Sequence, residues 1–203
     1  MKEVLGIIGN MVTLKMSKVI GILAEDNSDV DVIVEILSKY TNRQNFSVKK
    51  FVGNGCGKLR NKCESWALNL FSAGCDHVLM FHDRDRHNIN SLRKELHSRL
   101  CPIKFPNSII IIPVEELEAW LLSDENAIEK VFKLPKKLNK ISNCEQIPSP
   151  KEFLKNLVWT IGRKRYLNTV HNKKISESIS LDNLRRCDSF KQLDDYLVGK
   201  VFS

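Results

Sequence analysis

Two carboxylates one residue apart, Asp83 and Asp85, follow the apolar run Val78-Leu79-Met80-Phe81. Four apolar residues bounded by polar ones read as a short buried strand, and the acids stand where that strand must end. Along an extended backbone alternate residues share a face, so the pair is expected on one side with Cα atoms roughly 7 Å apart. That spacing suits a hard divalent cation, which takes oxygen ligands and is usually held by one or two carboxylates with phosphate oxygens and water. An isolated Asp-x-Asp also closes many strands as a plain polar turn, so further acids are needed to make a site. Glu25 is one, directly after the apolar run 19–24. Val114-Glu115-Glu116-Leu117-Glu118 supplies more after the run 109–112, and Glu118 is favoured over Glu116 as an added metal ligand.

The elements that must position these acids alternate in type. A strand over 19–23 leads through Ala24-Glu25-Asp26-Asn27-Ser28-Asp29 into a helix with apolar residues at 30, 33, 34, 36 and 37, capped by Ser28 or Asp29. A strand over 46–52 precedes Gly53-Asn54-Gly55-Cys56-Gly57-Lys58 and a helix reaching about residue 71. This is no Walker A loop: Gly53 leaves three residues before the Gly-Lys pair, where the motif has four, and Leu59 stands in place of the Ser or Thr. It reads as a turn at the rim of a site, with Lys58 as a phosphate contact. A helix over 89–100, a strand over 109–112 and an amphipathic helix over 114–122 follow. Strands alternating with helices imply an α/β fold with a mostly parallel sheet, whose ligands gather at the carboxyl ends of the strands. Helices are then expected over 126–132, 150–159, 172–180 and 188–197, with a polar, basic loop or linker over 134–148. The division is thus an α/β domain at 18–123 and a basic helical C-terminal region at 124–203.

At 203 residues, 42% hydrophobic and 28% charged, the composition is that of a soluble globular protein. No apolar run approaches the roughly 20 residues of a membrane helix. The first residues lack a basic start, a long apolar stretch and a cleavage site, so a cytoplasmic location is expected, and Met16 is a candidate alternative start. Six scattered cysteines without a Cys-x-x-Cys pair favour free thiols. A zinc site drawn from Cys75, His77, His82 and His87 lacks the ligand spacing of structural sites. Between residues 133 and 174, eleven Lys or Arg face two acids, Glu145 and Glu152, so this segment's balance of +9 exceeds the +8 of the whole chain. Such clustering is the footprint of a polyanion partner. Its candidate nucleic-acid contacts are Lys136, Lys137, Arg163, Lys164 and Arg165, joined by Lys58.

The strand ending Leu23-Ala24-Glu25 with Ser28-Asp29 after it, and Phe81-His82-Asp83-Arg84-Asp85 after the third strand, resemble a TOPRIM domain. That is the metal-binding fold shared by topoisomerases, bacterial primases, M5-type ribonucleases and OLD-family nucleases. Residues 112–122, Ser149-Pro150-Lys151, the stretch 175–179 and Cys187-Asp188-Ser189-Phe190 further resemble the small stand-alone TOPRIM-like proteins found beside ATPase genes in bacterial anti-phage loci. The resemblance implies that Glu25 binds metal or serves as general acid or base, and that Asp83 and Asp85 hold Mg²⁺ or Mn²⁺. Glu118 would help to hold a second ion. It also implies a nearby-encoded ATPase subunit as partner and a role in antiviral defence. Two positions depart from the family: Asp26 stands where many members have Gly, and His87 where topoisomerase-type members often carry a third acid.

The expected function is a metal-dependent nuclease, hydrolysing phosphodiesters of DNA or RNA. No second domain offers a nucleophilic tyrosine for topoisomerase chemistry, and Tyr40, Tyr166 and Tyr196 have no distinguishing context. The main rival is a non-catalytic TOPRIM-like regulatory or binding module for a partner ATPase. A nucleotide-sugar transferase using Asp-x-Asp is opposed by the basic tail. The number of copies that assemble, including a homo-oligomer, is open at this stage.

Overall fold

The computed structural model describes residues 17–203. Met16 and the rest of the proposed start region lie outside the described residues. Four parallel strands, β1 (Lys18–Ala24), β2 (Phe46–Val52), β3 (His77–Phe81) and β4 (Ser108–Ile111), form one sheet in the order β2-β1-β3-β4. The expected α/β class and parallel sheet are therefore present. The two inner strands are apolar nearly throughout because both faces are covered, and β3 is buried at all five positions. Strand β2 is an edge strand, buried at Phe46 and exposed at Ser47, Lys49 and Lys50, and such lysines blunt an open edge.

Successive residues of β1 and β3 point to opposite faces, and each face has its own helical cover. Helices α1 (Asn27–Leu37), α2 (Cys56–Ser72) and α3 (Ile89–Arg99) are the connections between the strands. Leu23, Val78 and Met80 pack with Leu59, Cys63 and Ala67 of α2 and Leu92 and Leu96 of α3. Gly21 lies on this side because a Cβ there would meet Leu70 Cδ1 at 2.9 Å and Val78 Cγ2 at 3.1 Å, so α2 sits directly on the β1 backbone. On the other face Ile20, Ile22, Leu79 and Phe81 pack with α1 and with the C-terminal helices. These are α4 (Glu118–Leu121), α5 (Glu125–Phe132), α6 (Pro150–Gly162), α7 (Asn168–Ser178), α8 (Leu181–Leu184) and α9 (Asp188–Tyr196). Helix α1 is buried at seven of its eleven positions, the signature of a helix enclosed on two sides, here by the sheet and α7. Residues on both sides of position 124 thus share one core, from Ile33 through Trp120 to Phe190 and Leu197.

Several local expectations are corrected. The cap of α1 is Asp26 rather than Ser28 or Asp29. Its Oδ1 accepts the N–H groups of Ser28 and Asp29, while Asp29 Oδ2 accepts the Asp26 N–H at 3.0 Å. This reciprocal pair satisfies amides that the first helical turn leaves open. The helix expected over 114–122 starts only at Glu118, because Glu115 adopts φ 59° and breaks the turn. Helix α6 runs on to Gly162, α7 begins at Asn168, and α8 was not foreseen. Nor is the basic stretch over 134–148 a free linker. Glu125 and Glu129 accept the N–H groups of Ile141 and Leu138, Arg186 donates to the Ile141 carbonyl at 2.7 Å, and Glu145 accepts the N–H groups of Asp188 and Ser189. No helix among the described residues is long and apolar enough to cross a membrane.

Candidate functional site

The acids singled out by spacing collect at the carboxyl edge of the sheet. Glu25 is the first residue beyond β1, and its Oε1 accepts the backbone N–H of Asp83 at 3.1 Å, tying the ends of the two central strands together. Asp83 Oδ1 in turn accepts the Leu117 N–H at 3.1 Å, which brings in the segment after β4. Asp29 from α1 and Glu118 from α4 stand close enough to Asp83 to act on its charge.

Asp85 is placed otherwise than strand alternation implies. The chain after β3 stays beside the extension of β4, with the His82 N–H on the Ile111 carbonyl and the Arg84 N–H on the Pro113 carbonyl. It then turns sharply: Asp85 has φ 48° and Arg86 φ 61°. The Asp85 N–H donates to the Glu115 carbonyl at 3.2 Å, the Arg86 N–H to the Glu115 carboxylate at 3.1 Å, and the Arg84 guanidinium lies 3.6 Å from that same carboxylate. Left-handed backbone at L residues costs about 1–3 kcal/mol each and persists only where neighbours over-determine it. Here the contacts from Glu115 do so. As a result the ligating atom of Asp85 lies with those of Glu25 and of the Cys56 thiol, all within 4.8 Å of one another, and this is a group with donor spacing for an ion. Cys56 comes from the first turn of α2, beside the glycine turn that follows β2, the strand paired with β1.

Burial dominates the electrostatics, with only partial countercharge from Arg60 on Glu25 and from Lys151 on Glu116. Desolvation, opposed in part by the Asp83 amide and reinforced by Asp85, raises the Glu25 carboxyl from its ordinary 4.5 to about 7. Desolvation with the Asp26 charge raises Asp29 to about 7. Asp83 is pushed well above the usual carboxylate range by burial and then by Asp29, Glu25 and Glu118. Glu116 is raised by burial, though it accepts the Lys151 N–H at 2.8 Å. The carboxylate of Glu118 is 5% exposed, and its Oε1 accepts from Tyr166 Oη and Asn172 Nδ2, both at 3.1 Å. Burial beside Glu118 holds the Tyr166 hydroxyl protonated. His82 is fully buried, and desolvation lowers its pKa, so the ring is neutral. Its Nδ1 lies 2.6 Å from the Asp83 carbonyl and therefore carries the proton, which leaves the lone pair of Nε2 buried without a partner.

Glu25, Asp83, Asp85 and Glu118 are therefore brought to one edge, with Glu118 reaching it from the helical side. Spacing alone missed Cys56 and the double role of Asp29, which the sequence reading treated as a cap, and it set Glu116 behind Glu118. Only the adjacency of β2 to β1 signals Cys56, and that pairing is a property of the fold. Cys75 and His77 sit at the far end of β3 from His82, with His77 on the Tyr196 hydroxyl at 3.1 Å, so the zinc set is not assembled. His87 is exposed in the turn after Asp85.

The basic residues divide. Lys58 is exposed on the first turn of α2, two residues from Cys56. Lys164 and Arg165 line a cleft of about 500 Å³ against α6, and the Arg163 guanidinium lies 5.7 Å from the Trp159 ring centre. Lys136 and Lys137 are exposed on the strapped loop, outside that lining. A smaller cavity of about 280 Å³, with Asp85, Glu116 and Ser149 in its wall, lies on the side of the acids toward α6.

Fold and site together define a parallel α/β protein with a cluster of acids at the carboxyl edge of its sheet. The chain belongs to the family described as a domain of unknown function, DUF4276, whose model matches residues 24–197 and so takes in both the sheet and the C-terminal helices. No curated protein and no solved structure matches it.

Proposed function

We propose that the chain is a Mg²⁺- or Mn²⁺-dependent phosphodiesterase acting on nucleic acid, the TOPRIM-like effector of an antiviral system with an ATPase partner. The observation that carries this reading is the group of half-buried acids at the sheet edge, whose carboxyls are pushed up in pKa by burial and by one another's charge. Of the three grouped donors the two carboxylates fit a hard divalent ion, so Glu25 and Asp85 would be its direct ligands, with the softer Cys56 thiol beside them and Asp83 and Glu118 the acids around them. Such an ion, when bound, neutralises the scissile phosphate and the charge that develops on it. Glu25 keeps Oε2 free of the Asp83 amide, which leaves that oxygen available to the ion. Lys58 and Lys151 flank the acids and would position the phosphate backbone.

A second reading, a non-catalytic module for the ATPase, draws on the internal uses of the acids. Asp29 closes the α1 cap, Asp83 holds the Leu117 amide and Glu118 holds Tyr166 and Asn172. Incubation with plasmid, single-stranded DNA and tRNA in Mg²⁺ or Mn²⁺ separates the two. Cleavage by the wild type that both Glu25→Gln and Asp83→Asn abolish supports the phosphodiesterase. Metal binding without cleavage, with the ATPase present, supports the module.

A further inference from the structure

The larger cleft has a character of its own. Trp159 on its wall is 53% exposed, whereas Trp120 is fully buried and Trp66 stacks on Phe51 at 5.3 Å between ring centres. The Arg163 guanidinium lies 5.7 Å from the centre of the Trp159 ring, and about half of Trp159 stays open to a planar ligand. Around it stand Lys151, Lys155, Lys164 and Arg165, and the one ion pair on this lining among the described residues is Lys155–Glu152 at 3.1 Å. At about 500 Å³ the cleft falls within the range of roughly 300–1,000 Å³ typical of ligand sites. It is also joined to the acids. Tyr166 on its wall donates to Glu118, and the Lys151 amide donates to Glu116, which borders the smaller cavity with Asp85 and Ser149.

We propose that this cleft binds single-stranded nucleic acid, with one base stacked on the Trp159 indole and the flanking phosphates on Lys164, Arg165 and Lys151. An aromatic face inside a cationic groove is how unpaired strands are held without sequence preference, because every base has a π-face. A base within a duplex keeps its faces stacked on its neighbours and cannot lie against the indole. Delivery of the strand past Ser149 to the acids rests on the phosphodiesterase reading, whereas the binding itself does not.

The test is fluorescence anisotropy of a labelled oligothymidylate 12-mer with the full chain in EDTA, where no cleavage intervenes. Trp159→Ala is expected to weaken binding about 5- to 150-fold, the loss of one base–aromatic stack, while Trp159→Phe keeps most of it. The thermal midpoint of Trp159→Ala should match the wild type, since the ring lies outside the core. Lys164→Ala with Arg165→Ala should reduce the slope of log K against log salt by about 1.4, at roughly 0.7 per phosphate contact on a single strand. A duplex of equal length should bind more weakly and ignore Trp159→Ala. The inference is overturned if Trp159→Ala binds the oligomer as the wild type does, or if a poly-glutamate peptide competes equally well, which would make the cleft a dock for acidic protein. Binding that depends on Trp159 in a protein that cuts nothing leaves this inference standing and removes the enzyme. Cleavage with binding indifferent to Trp159 does the reverse.

Discussion

In EDTA the folded protein is expected to lose stability as pH rises from about 5 to about 8, and Glu25 sets much of that loss. Its carboxyl is raised from 4.5 to about 7 in the fold, chiefly by burial. Below about pH 4 it is protonated in both folded and unfolded chains and contributes no difference. Between those values the unfolded chain has released the proton and the fold still holds it. The folded state then binds more protons, so stability falls with pH until the folded group also ionises. One pKa unit is about 1.4 kcal/mol, which makes the full shift about 3 kcal/mol. The side chain is 17% exposed and the Asp83 amide serves it, so screening brings the expected loss to about 2 kcal/mol. Asp29, raised from 3.8 to about 7, adds to the loss in the same window, though the two carboxylates raise each other and their effects overlap. Against a typical total of about 5–15 kcal/mol this is measurable. Glu25→Gln keeps an acceptor for the Asp83 amide and removes the charge. Urea unfolding followed by tryptophan fluorescence should find the variant about 2 kcal/mol more stable than wild type at pH 8 and equal at about pH 4, at the scale of the shift above. Saturating Mg²⁺ should restore the wild type at pH 8 and leave Glu25→Gln little changed. A wild type whose stability is flat or rises from pH 5 to 8, or a Glu25→Gln variant weaker than wild type at pH 8, would refute the reasoning.

Other consequences are more local. Gly21→Ala drives a methyl into Leu70 and Val78 and should cost about 1–3 kcal/mol in urea unfolding as α2 is pushed off β1. Arg186 bonds the carbonyls of Ser123 and Ile141 and the Glu125 carboxylate, so Arg186→Ala should cost about 3 kcal/mol and speed tryptic cleavage after Lys136 and Lys137. Cys56 and Cys101 are partly exposed and the other four cysteines buried, so a thiol reagent should titrate two groups in the native protein and six in urea. Divalent cation should protect Cys56 among these two.

The α/β class could be read from the chain because its two inner strands are continuous apolar runs separated by helical apolar patterns. The acids at 25, 83 and 85 were visible because each follows a strand, and parallel strands bring their carboxyl ends to one edge. What stayed hidden depends on contacts distant in sequence. Asp85 reaches Glu25 through a left-handed turn held by Glu115, thirty residues away, and local propensity does not foresee positive φ at Asp, Arg or Glu. The same turn at Glu115 delays the helix that the acidic amphipathic pattern placed four residues earlier. Cys56 joined the acids through the pairing of β2 with β1. The basic loop looked like a linker because the groups that strap it, Glu125, Glu129 and Arg186, belong to α5 and the turn before α9.

The central claim is that a divalent cation binds among the acids at the sheet edge, and anomalous scattering from Mn²⁺-soaked crystals tests it most directly. The account expects a peak within roughly 2.5 Å of carboxylate oxygens of both Glu25 and Asp85, lost in Glu25→Gln. Crystals saturated with Mn²⁺ that show no peak at this edge, with the Glu25 and Asp85 carboxylates still as they stand in the metal-free protein, would contradict it.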